Sequence, residues 1–272
     1  ATVNHWAGCT KVSPACDNCY AQRMAGRLWK VQWGAGQPRR QFVSAREMLE
    51  ALDRKAQRIG KRLRVFHNSL SDMFDKEVPD GWSMDAFKAM ADTPNLQHLV
   101  LTKRIGNVRP YTKRDGLAFD LIGDGRIWLG ITVVNQEEAD RDIPRLLDVP
   151  ARVRFLSMEP LLGPVDLRAL QYGEGEIDAL KPDQWEAVIA AWRDTTPEWV
   201  EDFEDWFGVT LNDGLSGPMH AALDWVIVGG ESGPNARPMH PDWVRSIHDQ
   251  CAAAGVALFV KQMGGSRDKR GE

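Results

Sequence analysis

The chain has 272 residues, 43% hydrophobic and 26% charged, ordinary proportions for a globular protein able to bury a large core. No apolar run approaches the roughly 18 residues that cross a bilayer, and Ala1 to Trp6 lack the basic-then-apolar order of a signal peptide, so a cytoplasmic location without a membrane partner is expected. The net charge of −4 is unevenly spread: residues 173–213 carry twelve acids against two bases, which leaves a basic body and hints at a polyanionic partner.

In chain order, a short strand at residues 3–6 leads into a cysteine cluster. Cys9, Cys16 and Cys19 follow the spacing C-x6-C-x2-C. Three thiolates on one loop can hold three irons of a [4Fe–4S] cluster and leave the fourth iron open. A structural zinc ion wants a fourth ligand, for which His5 and Cys251 are the candidates. The count of three, on a loop directly after the first strand, favours iron–sulfur. Cys251 falls on the apolar face of a helical pattern and reads as a small core residue.

Beyond the loop, residues 44–59 place Ala45, Met48, Leu49, Leu52 and Ile59 at helical spacing after a possible Ser44 cap. Shorter helical patterns cover 83–91, 137–147 and 241–254, the last with a stop at Gly255. Between them lie apolar runs at 64–66, 98–101, 127–131, 153–156, 225–228 and 257–260. Most lack polar alternation, as parallel strands covered on both faces do. Strands alternating with helices predict an α/β fold, here a partial or irregular (β/α) TIM-like barrel of about seven strands forming one domain over 1–272. Residues 166–222 break the rhythm. Trp185, Trp192, Trp199 and Trp206 recur every seven residues, and Pro182 and Pro197 suit helix starts, so the stretch reads as an acidic helical insertion packing its tryptophans on the body.

Almost every strand pattern ends in polar residues: Asn68-Ser69-Leu70-Ser71-Asp72, Thr102-Lys103-Arg104, Thr132, Ser157-Met158-Glu159, Gly229-Gly230-Glu231 and Lys261-Gln262. In a parallel barrel all these ends lie on one face, where active sites form. Turn and cap chemistry accounts for Ser, Asn and Asp. It accounts less well for Lys103, Arg104, Glu159, Glu231 and Lys261, because a charge beside a buried strand is costly unless paired. Lys103, Glu159 and Lys261 are therefore candidate catalytic residues. Arg104 joins the two lysines as a possible anchor for an anion, against the alternative of internal salt bridges to Asp72, Glu159 or Glu231.

These motifs together resemble the phage Gp37/Gp68 family, a three-cysteine-motif domain of unknown function. The resemblance rests on Gly8-Cys9-Thr10-Lys11-Val12-Ser13-Pro14 through Cys19-Tyr20-Ala21, Asn68-Ser69-Leu70-Ser71-Asp72-Met73-Phe74, Leu101-Thr102-Lys103-Arg104, Leu156-Ser157-Met158-Glu159-Pro160-Leu161-Leu162-Gly163-Pro164, Val228-Gly229-Gly230-Glu231-Ser232-Gly233 and Lys261-Gln262-Met263-Gly264-Gly265. That family in turn resembles radical S-adenosylmethionine (SAM) enzymes. The resemblance implies a [4Fe–4S] cluster on Cys9, Cys16 and Cys19, with SAM chelating the open iron and cleaved to a 5′-deoxyadenosyl radical. It implies SAM contacts from Ser71, Asp72, Thr132, Glu159 and Glu231, and an electron donor as partner. Two departures stand out: the loop is three residues longer than the superfamily's C-x3-C-x2-C, and Gly-Gly-Glu follows the sixth strand instead of the second.

The expected substrate is a nucleic acid or nucleotide. Nine basic residues against three acids between Arg39 and Arg64 form a stretch able to bind phosphates, and DNA modification or repair fits a phage setting. The alternative is a non-catalytic, zinc- or cluster-stabilised module that binds nucleic acid or a protein partner.

Overall fold

The computed structural model of the protein describes residues 1–111, 116–173, 175–181 and 222–265. Among these the strands are β1 Thr2–Val3, β2 Trp6–Ala7, β3 Arg40–Gln41, β4 Leu63–His67, β5 Leu96–Thr102, β6 Ile127–Thr132, β7 Arg154–Met158, β8 Leu170–Tyr172, β9 Gly175–Ile177, β10 Trp225–Gly229 and β11 Ala257–Gln262. Seven of them form one sheet in the order β1-β4-β5-β6-β7-β10-β11, every neighbour parallel. Right-handed crossovers in strictly sequential order place the connecting helices on one face. Strand twist curls the other face inward. The product is an open half-barrel, and the seven predicted strands are all present.

The helices among the described residues are α1 Tyr20–Trp29, α2 Ala45–Ile59, α3 Asp80–Ala91, α4 Leu117–Gly123, α5 Gln136–Leu147 and α6 Pro241–Ala254. Four of these coincide with predicted helical patterns; α1 and α4 had no clear periodic signal. Ser44 precedes α2 but makes no side-chain cap bond. β8 and β9 pair as a two-stranded antiparallel ribbon, where the sequence suggested the opening of a helical insertion. Trp185, Trp192, Trp199 and Trp206 lie outside the described residues. No helix among the described residues is long and apolar enough to cross a membrane.

Alternation along each strand sorts the two faces. Val65, Val100, Leu156, Val226 and Val228 turn to the helices and are fully buried there, with Leu49 of α2 and Ile247 of α6 among their neighbours. The hollow face carries aligned rows: Phe66, Leu99 and Trp128, then Leu101, Gly130, Phe155 and Trp225. Gly130 is required by this row, because a Cβ there would stand 2.4 Å from the Phe155 ring.

Three histidines run in series under the helix side of the sheet. His5 Nε2 meets His67 Nδ1 at 3.1 Å, and His67 Nε2 meets His98 Nδ1 at 2.9 Å. Burial, aided by the neighbouring imidazoles, pushes His5 down to about 4 and His67 well below its ordinary value. Burial likewise lowers His98 to about 4. Each ring is therefore neutral, with one N–H to give and one nitrogen to accept, which is what a chain of imidazoles needs.

Candidate active site

The carboxyl ends of the sheet strands open on a cavity of about 1010 Å³. Cys9, Cys16, Cys19, Ser71, Asp72, Lys103, Thr132, Glu159, Glu231 and Lys261 all line it. The strand-end polar residues thus converge in one place. Deeper in the cavity the walls are Phe66, Leu99, Phe155 and Trp225; at the rim stand Tyr20, Met24 and Phe259.

The cysteine loop is shaped by local chemistry. Ser13 Oγ accepts from the Ala15 N–H at 3.1 Å and starts a short 3-10 turn, Pro14–Cys16, with Pro14 preset for that turn. Cys19 then stands at the N-cap of α1. Gly8 enters the loop at φ 110°, a left-handed conformation that side chains resist. The Cys9 end is pinned from below: Gly34 N–H donates to Cys9 O at 3.0 Å, and Arg104 Nη2 to Thr10 O at 2.8 Å. Burial pushes the Cys9 thiol up to about 12, against the opposing pull of the Arg104 guanidinium. It is therefore a protonated thiol that must release a proton when it binds a metal.

These donors fit an iron–sulfur cluster. Three soft sulfur ligands come from one loop and face a cavity with room for a further ligand. Among the described residues no three His, Cys, Asp or Glu side chains are arranged to share a single metal ion. Thiolates that each take a different iron have no need to converge on one point. His5, committed to His67 on the helix side, and Cys251, buried in α6 at 1% exposure, do not complete a zinc set with the loop.

The candidate polar residues divide into committed and available groups. Asp72 accepts from Thr102 Oγ1 at 2.7 Å, Phe74 N at 3.0 Å and Lys103 N at 2.9 Å, with Arg104 beyond at 3.8 Å. Its carboxylate ties β4 to β5. Ser71 Oγ donates to Trp6 O at 2.9 Å. Glu231 is also fully engaged within the protein. By contrast, among the described residues Lys103 Nζ reaches only the Thr132 hydroxyl, at 3.2 Å. Glu159 accepts from Lys261 Nζ at 2.9 Å and Gln262 Nε2 at 3.0 Å, near the surface. A Cβ on Gly229 would come within 3.1 Å of the Glu159 carboxyl carbon, so that glycine makes its room. The internal salt-bridge alternative thus holds for Lys261. Arg104 holds the loop through Thr10 O and lies 3.8 Å from Asp72 and 3.9 Å from Asp75, while also lining the cavity.

Three residues support the site in ways the sequence did not indicate. Arg39 donates to Asp75, Thr10 and Glu77 from a buried position. Asn18 and Arg237 tie the loop to Glu231. Arg39 was read as part of a basic phosphate-binding stretch, and the structure removes it from that role. Arg46 is paired with Glu50 and Asp92, and Arg64 lies 5.0 Å over the Trp128 ring. Arg40 is exposed in β3 beside Ala7 of β2, donating to Trp29 O at 3.4 Å. The other exposed bases, Arg54, Lys55, Arg58, Lys61 and Arg62, sit toward the amino end of β4, at the opposite end of the sheet from the cavity.

Residues 1–271 match the model of a family described as protein of unknown function, DUF5131. The chain belongs to the DUF5131 family. The phage Gp37/Gp68 name expected from the motifs is not part of that description. No curated protein shows significant sequence similarity to this DUF5131 chain. Among solved structures it is similar to a spore photoproduct lyase variant with bound SAM and a dinucleoside spore photoproduct, at 13% identity and a TM-score of 0.36. That alignment covers 92% of this chain and 60% of the other, so the chain spans about three fifths of that protein's length.

Proposed function

We propose that this DUF5131 protein is an iron–sulfur enzyme of the radical SAM type, acting on a nucleotide or nucleic-acid substrate. One observation carries the reading: three thiols from a single loop line the same large cavity at the strand carboxyl ends as Lys103, Glu159 and Lys261. Cys9, Cys16 and Cys19 would hold the cluster. When bound, the cluster supplies one electron to SAM held at its open iron.

The chain's own residues do the rest. Lys103 offers a cation beside Thr132, suited to the carboxylate of SAM or a substrate phosphate. Glu159 offers a carboxylate to an amino or ribose hydroxyl group, after yielding its bond from Lys261. Asp72 and Ser71 shape the wall through backbone ties; they act on a ligand only through that shape. The aromatic walls exclude water from the reacting end. Flat rings below and cations at the rim match a nucleoside phosphate, which stacks its base and pairs its phosphate.

The test is anaerobic reconstitution with iron and sulfide, followed by electron paramagnetic resonance with and without SAM. Binding predicts a cluster signal that changes on SAM addition and 5′-deoxyadenosine under reduction. A protein that takes up zinc and no iron, or a cluster signal indifferent to SAM, overturns the reading.

A further inference from the structure

The Gly-Gly-Glu tripeptide after β10 has a structural explanation independent of any cofactor. A Cβ on Gly230 would lie 2.1 Å from Met263 O, and one on Gly264 2.6 Å from Glu231 O. Only paired glycines let the two strand ends run backbone against backbone. Gly230 N–H then donates to Gln262 O at 3.0 Å and Gly265 N–H to Glu231 O at 2.9 Å. This close packing fixes where the Glu231 side chain leaves the chain.

That side chain meets the cysteine loop. Glu231 Oε2 accepts from Asn18 Nδ2 at 2.8 Å, Arg237 N at 2.9 Å and Arg237 Nε at 3.0 Å, while Oε1 accepts from Arg237 Nη2 at 2.7 Å. Arg237 continues to Pro14 O at 2.9 Å and Asp17 Oδ2 at 3.2 Å. Asn18 also reaches Asn235 O at 3.0 Å. Burial would raise the Glu231 pKa, but the bonds from Arg237 and Asn18 outweigh it and hold the carboxyl below its usual range. Every contact falls on residues 14, 17 and 18, the turn that carries Cys16 and leads to Cys19.

We infer that Glu231 and Arg237 form a clamp that sets the Cys16–Cys19 turn, so that both are positioning residues for two of the three thiols and Glu231 is not a ligand of the cofactor. The inference rests on the proposed cluster reading for its purpose, and on the hydrogen bonds alone for its mechanics. Four donors already hold this 6%-exposed carboxylate, so a SAM amino group would have to compete with Arg237 and Asn18 for it.

Arg237→Ala and Asn18→Ala test it in two ways. In the metal-free protein, amide exchange over residues 14–18 is expected to quicken about tenfold while peptides of β5 and β6 keep their rates. In the reconstituted protein, iron release to a chelator is expected to quicken about tenfold or more. Unchanged exchange over 14–18 in a folded Asn18→Ala or Arg237→Ala protein overturns the clamp. If Arg237→Ala does not fold, Asn18→Ala, which leaves the ion pair intact, decides by the same exchange. A wild-type protein that binds no iron refutes the cluster reading, whereas the exchange result still decides the clamp.

Discussion

His5, His67 and His98 close their hydrogen bonds on one another beneath the helices, whereas Lys103, Glu159 and Lys261 on the hollow face hold theirs at the edge of open space. Both groups are polar and both sit at or beside strand ends. The difference is whether protein or ligand completes the set. On the helix side every imidazole faces another group of the same chain, so the outcome is a neutral, sealed network. At the cavity the rings Phe66, Phe155 and Trp225 lower the local polarity and leave the rim groups facing solvent. A buried polar cluster therefore marks a functional site only where its bonds are left open.

The contrast can be broken most severely at the loop. Cys16→Ser should reduce iron uptake more than about tenfold, by iron and sulfide assay, with no effect on the far-ultraviolet circular dichroism spectrum. The histidine chain predicts a pH effect on folding instead. The unfolded chain takes up protons below about pH 6.5, while folded His5 and His98 wait until about 4, so stability is fully present above the window and is lost as pH falls through it. The loss should reach at least about 3 kcal/mol in urea titrations between those limits, and His67→Asn should flatten the slope. Gly230→Ala forces a methyl against the Met263 carbonyl and should cost about 1–3 kcal/mol, read from the urea midpoint. Least disruptive to the fold is Lys103→Met: stability should stay within about 0.5 kcal/mol, while SAM or nucleotide binding by calorimetry weakens about tenfold. Equal damage to folding would move Lys103 to the sealed class.

Much of this was legible in the chain. Strands that lack alternation announced a covered parallel sheet, and charges directly after them announced a shared rim. The cysteine spacing announced the loop. What escaped was the pairing of those charges. Asp72 and Glu231 look alike in sequence to Glu159, yet their partners, Thr102 and Arg237, are chosen by strand register and a glycine-backed approach that no local pattern encodes. Arg237 lies in a Gly, Pro and Asn loop that offers only a turn signal. The histidines are scattered along the chain and meet only because residues 67 and 98 fall on the same face of adjacent strands. The basic run does not form one surface, because charge count carries no direction: Arg39 turns inward, Arg40 stands in β3, and Arg54 to Arg62 gather at the amino end of β4.

The clamp also has a consequence for biogenesis. Asn18 and Glu231 stand 213 positions apart, and Arg237 and Pro14 stand 223 apart. During synthesis the thiols leave the ribosome early, whereas the residues that secure their turn are among the last to follow. A metal arriving on the nascent chain would find three loosely held sulfurs competing with any other soft ligand in the cell. If the proposed cluster is held there, its secure insertion would await docking of the last strands, and folding itself would be the checkpoint.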